Sequence, residues 1–438
     1  MISALDLRGA TIIAVLFGVV LVVAELWARR WNGQPEHTRK LVHLGGSAIG
    51  VFLPLLVQSV AVAFALTASL SLLFFATSKG KWLRSVGGVA RSSRGSEYYP
   101  LAVFLVFVLS AGDYWRYLAS LLVLGVADAF AALVGGGYGR IRYEVEDESK
   151  SLEGSLVFLV VAYLAILLPT LLLTELPRPT VVLASLLVAL VVTGFEAVSL
   201  RGADNLFVPI AACVILGKIT TKALPEIIFQ NVSLIGLCVV IGVGARRFPG
   251  LNVGATIAVL LFTYGLWSLG SPLWALPVLI ALVALVTART GRFSGRAVGV
   301  RPVARACMPL VAILIVANTY RTYDFWYAPF LGATAAMTSI GVIQAAGRRA
   351  RALVLSVGAC MALVLIPAAF AVREPGASIA TLLSVALFAG AIAVVLRERY
   401  PAETRLGDIV PAMMAILAAF VVAGLQRVGV ISPWTIST

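Results

Sequence analysis

Apolar runs of about 17–25 residues recur along the whole chain, separated by short clusters of Arg, Lys, Asp, Glu, Gly and Pro. An α-helix needs a run of this length to cross the hydrocarbon core of a bilayer. The pattern predicts about sixteen transmembrane helices, near 10–28, 41–57, 59–77, 98–112, 117–136, 154–173, 180–200, 205–218, 227–245, 253–269, 272–288, 304–320, 326–345, 352–372, 377–396 and 408–427. The run at 205–218 is short enough to be re-entrant. The first run passes into Arg29 and Arg30 without a small-residue cleavage site, so it reads as a spanning helix and not a signal peptide. The fold class expected is all-α, a polytopic integral membrane protein.

Composition agrees. Of 438 residues, 61% are hydrophobic and 12% charged, with a mean hydropathy of +1.00; a soluble domain of this length carries far more charge. The net charge of +14 would suggest nucleic acid in a soluble protein. Here the positive-inside rule accounts for it, and no nucleic-acid partner is expected. With the amino terminus outside and loops alternating, the inside loops hold 26 of the 34 basic residues. The four cysteines, Cys213, Cys238, Cys307 and Cys360, stand singly in apolar stretches without metal or redox spacing and read as small core residues.

The acids divide the chain. Fifteen of the 20 Asp and Glu precede residue 230, and Glu25, Asp128, Glu153, Glu196 and Asp204 fall within or at the ends of apolar segments. Ionisable groups in a spanning segment are costly and usually functional. Chemistry is therefore expected in 1–226, with a second membrane domain over 227–438.

The stretch 124–156, LGVADAFAALVGGGYGRIRYEVEDESKSLEGSL, carries the densest signal. Asp128 lies among Ala, Phe, Val and Leu, where an ionised Asp costs about 2.5–3.5 kcal/mol on insertion scales. It is either satisfied by a neighbouring helix or is a Mg²⁺ ligand, since Mg²⁺ is held by one or two carboxylates plus phosphate oxygens. Gly135, Gly137 and Gly139 either end a helix or let backbone N–H groups approach a phosphate. Lys150 opens the next apolar segment, where a helix amino terminus favours anions. It is followed by Ser151, Glu153, Gly154 and Ser155. Ser151 or Ser155 would supply a hydroxyl, and Glu153 would bind metal or position Lys150; a snorkelling Lys with Ser as N-cap is the structural alternative. Upstream, Arg39, Lys40 and His43 fall on one helical face, either a phosphate-binding cluster or ordinary interface cations. Downstream, Glu196, Asp204 and Asn205 flank a short loop before Pro209, and the carboxylates would complete a metal site with Asp128. The charge-derived topology puts all these motifs on the cytoplasmic side.

These pieces resemble the CTP-dependent lipid-alcohol kinases, the phytol kinase and dolichol kinase family related to CDP-diacylglycerol synthases. The matching residues are Glu25, the RKLVH run with Arg39, Lys40 and His43, ADAFAALVGGGYG around Asp128, KSLEGS from Lys150, and EAVSLRGADNLFVP from Glu196. The resemblance implies transfer of the CTP γ-phosphoryl group to an isoprenoid alcohol with Mg²⁺, and leaves open whether the alcohol is phytol, farnesol, geranylgeraniol or a polyprenol. It assigns Asp128, the glycines, Lys150 and Glu153 to the nucleotide and metal site, completed by Glu196, Asp204 and Asn205. Two positions depart from the family pattern: Ala127 stands where Gly is usual, and Gly136 where a basic residue is common. The C-terminal half resembles the membrane family that includes phytyl-phosphate kinase, through LNVGATIAVLLFTYGLW from Leu251 and VANTYRTYDFWYAPFLGATAAMTSIG from Val316. It carries Ala335, Ala336 and Met337 near the place of that family's acidic motif, so a non-catalytic role is expected for it.

The expected activity is thus a CTP-dependent isoprenoid-alcohol kinase in the lipid bilayer, with its site facing the cytoplasm. A cytidylyltransferase acting on a lipid phosphate would release pyrophosphate instead of CDP. A lipid transporter or flippase would leave the Lys150–Ser155 motif without a role.

Overall fold

The computed structural model describes residues 3–30, 35–80, 83, 95–146, 148–247, 251–289, 298–345, 356–363, 366 and 405–430. The chain forms two compact units, Met1–Leu234 and Ile235–Thr438. Helices dominate both, and the described strands form a single two-stranded antiparallel hairpin.

In the first unit the elements are α1 (Ala4–Arg30), α2 (Pro35–Gly50), α3 (Leu53–Leu56), α4 (Val60–Gly80), α5 (Gly95–Leu109), α6 (Tyr114–Leu122), a π-helical turn (Val123–Ala127), α7 (Asp128–Tyr138), β1 (Arg142–Val145), β2 (Glu148–Ser151), α8 (Leu152–Leu173), α9 (Arg178–Val198) and α10 (Asp204–Ile219). The segment from α6 through the π turn to α7 is one continuous apolar helix of 25 residues. α8 packs on α6, α7 and α9, while α5 packs on α4 and α10. Tyr117, Leu121 and Leu124 are buried against Leu53, Val103, Val106 and Cys213, which joins the central helix to α3, α5 and α10. The Tyr117 hydroxyl donates to the Gly50 carbonyl at 2.7 Å, satisfying an orphan acceptor at the end of α2.

α11 (Leu224–Arg247) is followed in the second unit by α12 (Val253–Leu269), α13 (Pro272–Arg289), α14 (Val300–Tyr320), α15 (Tyr323–Ala345) and α16 (Arg405–Arg427), with a further helical turn at 356–363. Every residue from 327 to 340 is buried, so α15 is the central helix of this unit, buried on all sides. Trp274 is fully buried against the rings of Tyr327 and Phe330, with centroids 5.2 and 4.8 Å away.

Seven described helices are long and apolar enough to cross a membrane, and four shorter apolar helices join them. The expectation of about sixteen spans is not met among the described residues. The run expected at 41–57 ends at Gly50 and resumes as the single turn α3, because Pro54 enters two residues after the break at 51–52. The run expected at 205–218 is a 16-residue helix. The one expected at 377–396, and most of that at 352–372, lie outside the described residues. Three cysteines are buried as expected, but Cys238 is on an exposed face of α11. The charged connection after Gly139 is the β1–β2 hairpin, with Arg142 paired to Ser151 and Val145 to Glu148.

Candidate active site

Four segments of the first unit converge on a cavity of about 380 Å³. The first is α2, whose helical spacing sets Arg39, Lys40 and His43 on one face; all three line the cavity. The second is the central helix at the π turn. Gly125 in that turn lies so close to α2 that a Cβ there would stand 2.3 Å from the Ser47 Cβ. This close crossing brings Lys40 to Asp128: Lys40 Nζ is 2.5 Å from Asp128 Oδ2, and the pair is mostly withdrawn from solvent. π turns inside α-helices often mark functional positions. His43 Nδ1 is 4.0 Å from the same carboxylate oxygen, beyond hydrogen-bond range. Its ring rests on Tyr99, with centroids 4.7 Å apart.

The hairpin and the start of α8 form the third wall. Lys150 Nζ is 2.7 Å from Glu196 Oε1 and also donates to the Glu196 carbonyl. That carbonyl lies in the last turn of α9, where a cation is favoured by the helix dipole. Burial works to lower the Lys150 pKa, but Glu196 and then Asp204 outweigh it and hold the ammonium above the ordinary lysine value. Ser151 is the N-cap of α8, its Oγ accepting from Gly154 N at 3.2 Å. The Tyr143 hydroxyl and Ser155 Oγ are 2.8 Å apart.

The fourth wall joins α9 to α10. Arg201 and Gly202 both have left-handed backbone, φ +53° and +82°, and the Glu148 carboxylate accepts the Arg201 N–H at 2.9 Å. The hairpin thus holds the loop that delivers Asp204 and Asn205 to the cavity. Two prolines act alike here. Pro209 cannot donate to the Asn205 carbonyl four residues earlier, nor Pro100 to that of Ser96, and Asn205 and Ser96 both line the cavity.

Of the residues expected from sequence, Arg39, Lys40, His43, Asp128, Gly135, Lys150, Ser151, Gly154, Ser155, Glu196, Asp204 and Asn205 line this one cavity. Three do not. Glu153 accepts the Ile141 N–H on both carboxylate oxygens, at 3.1 and 3.3 Å, and so clamps the hairpin base. Gly137 lies outside the lining, and Gly139 packs on Ser151. Glu25 is paired with Arg29 at 2.5 Å, away from the site. Gly135 and Gly154 serve helix approach: a Cβ on Gly154 would stand 3.1 Å from Gly135 Cα and 3.1 Å from the Ala131 carbonyl oxygen. The open glycine is Gly136, which lines the cavity with nothing within 4 Å of its would-be Cβ. A contrast follows. Gly139→Ala would set a Cβ 2.3 Å from the Gly135 carbonyl oxygen and is expected to cost about 1–3 kcal/mol. Gly136→Ala is expected to leave the melting temperature in detergent unchanged.

Arg142, Glu148 and Ser149 of the hairpin also line the cavity, as do Phe17, Phe74 and Tyr99 at an apolar end. No motif signalled them; strands of four residues are too short for alternation to stand out.

The donor set suits a divalent cation that arrives with phosphate. Asp128, Glu196 and Asp204 line one space, yet no three His, Cys, Asp or Glu side chains among the described residues are grouped to cage an ion. Two of the three carboxylates already face a lysine. Mg²⁺ commonly takes one or two carboxylates and completes its shell with water and phosphate oxygens.

No family model and no solved structure matches the chain. A phytol kinase from Synechocystis sp. is 32% identical over 209 residues, which cover 46% of this chain and 87% of that protein. A third of the residues is shared across nearly the whole length of that relative, so the chain belongs to the phytol kinase family.

Proposed function

We propose that this protein is an isoprenoid-alcohol kinase that uses the γ-phosphoryl group of CTP with Mg²⁺ at the cytoplasmic membrane face. The observation that carries the reading is the two-sided cavity. Lys40 and Lys150 face carboxylates, Arg39 and Arg142 add two further cations to the lining, and the Phe17, Phe74 and Tyr99 rings line the same cavity. Kinship with a phytol kinase supports the substrate class. The cytoplasmic assignment rests on the loop charge distribution.

Phosphoryl transfer depends mostly on positioning and charge neutralisation. Lys40 and Lys150 would bind phosphate oxygens, each released from or shared with its carboxylate partner. Asp128, Glu196 and Asp204 would hold Mg²⁺, which neutralises charge on the transferring group when bound. Glu196 or Asp204 would take the proton from the alcohol as its oxygen bonds to the γ-phosphorus. The bond from that phosphorus to the β–γ bridging oxygen breaks, and CDP leaves. The walls from α2, the central helix and the hairpin would hold the nucleotide phosphates, and the apolar side would exclude water from the acceptor.

The test is product analysis in proteoliposomes with γ-labelled CTP and phytol. Labelled phytyl phosphate and CDP are expected in equal amounts. Release of pyrophosphate with a cytidylyl lipid, or no turnover with any prenol, would overturn the reading.

A further inference from the structure

Phe17 and Tyr99 belong to two cavities at once. They line the polar site and also a second, apolar crevice between α1, α2, α4 and α5. Among the described residues, its wall carries two side-chain hydroxyls, and both are engaged elsewhere. Thr67 Oγ1 donates to the Ala63 carbonyl at 2.8 Å, and the Tyr99 hydroxyl donates to Ser47 Oγ at 3.2 Å. The crevice therefore offers hydrocarbon contact and no polar recognition. Its junction with the polar site depends on Gly46, where a Cβ would stand 2.8 Å from the Phe17 ring and 3.4 Å from the Tyr99 ring. Gly50, one turn further along α2, also lines it.

We propose that this crevice receives the isoprenoid tail, leaving the hydroxyl at the Phe17–Tyr99 junction, turned into the polar site and its carboxylates. The inference rests on the isoprenoid-alcohol reading and specifies which helices hold the chain. Three observations carry it: the shared aromatic pair, the apolar wall whose described hydroxyls are both engaged, and a glycine where a side chain would close the junction. The crevice has a volume of about 30 Å³, enough for only a couple of water molecules. The proposal requires Phe17, now edge-on to Phe74 at 5.9 Å, and Leu70, which also lines the crevice, to rotate and make room for the chain. A long tail and a short one then differ in what they need from this wall. The chemistry at the hydroxyl is common to both.

Gly46→Val, whose side chain would press on the Phe17 and Tyr99 rings, and Leu70→Trp each fill the crevice, and neither Gly46 nor Leu70 lines the polar site. Both variants are expected to lose about tenfold or more in kcat/KM for geranylgeraniol, while dimethylallyl alcohol changes less than about twofold. Turnover of the short alcohol also reports that the variant is folded. An equal effect on both alcohols, or none on either, would overturn the proposal. A second measurement uses the wild-type protein: a diazirine-bearing farnesol analogue is expected to label residues of α2 and α4 lining the crevice, and labelling confined to other helices would overturn it. Wild-type protein that phosphorylates neither alcohol would instead overturn the kinase reading on which the proposal stands.

Discussion

Asp128→Asn is expected to lower kcat/KM for prenol phosphorylation by about 100- to 1000-fold, the loss typical when one preorganised electrostatic contact is removed from a transition state. Asparagine keeps the shape of the side chain and one acceptor oxygen. It removes the charge that faces Lys40 at 2.5 Å, and with it the ligand proposed for Mg²⁺. The change also leaves Lys40 without its carboxylate. Breaking a withdrawn ion pair from one side destabilises more than neutralising both partners. Loss of fold must therefore be separated from loss of chemistry. The double variant Lys40→Gln, Asp128→Asn removes both charges and is expected to regain most of the melting temperature while remaining inactive. Turnover and thermal unfolding in the same detergent check both points. If the folded single variant keeps more than about a tenth of wild-type activity, Asp128 has no part in the reaction.

Lys150→Met is expected to match that loss, by at least about 100-fold. Lys150 faces the Glu196 carboxylate at 2.7 Å and lines the cavity proposed to hold phosphate. A neutral side chain would leave Glu196 buried without a counter-charge. Lys150→Met, Glu196→Gln again separates stability from catalysis. The pH dependence is a further check. The folded pKa of Lys150 is raised, so the stability it contributes is complete below the unfolded lysine value of about 10.4 and is lost only as pH rises through the higher folded value. The difference in melting temperature between wild type and Lys150→Met should therefore not shrink from about pH 6 to pH 9, and grows there if the unpaired Glu196 ionises in the variant. A difference that shrinks across that window would mean that Lys150 titrates within it and that Glu196 does not hold it charged.

Much of the site was legible because its residues are expensive where they stand. An aspartate in an apolar helix, and a lysine or glutamate at the end of another, stand out against hydrocarbon. Asp128, Lys150 and Glu196 were found by that contrast, and the structure brings them to one cavity. The glycines were legible as a group but not one by one. Sequence does not distinguish Gly136, which is open to the cavity, from Gly135 and Gly139, where neighbouring atoms leave no space for a side chain. Glu153 misled for a related reason: beside Lys150 in sequence, its carboxylate reaches back to Ile141 instead. The aromatic end was invisible, since Phe17, Phe74 and Tyr99 look like any other apolar residues of a membrane helix. Helix positions were read closely, but the run at 41–57 hid a break that only the distinct ends of α2 and α3 reveal.

The two lysine–carboxylate pairs span 88 and 46 positions of the chain, and in both the lysine comes first. Translation proceeds from the amino terminus, so the order of charges along the chain is also an order in time. When the helix bearing Asp128 leaves the ribosome, Lys40 has already been made; when Glu196 emerges, so has Lys150. Neither acid has to wait in the bilayer for a counter-ion that is still unsynthesised. Biogenesis thus meets each costly carboxylate with a cation already in place, and exchanging the two members of a pair would preserve the contact while reversing that sequence of events.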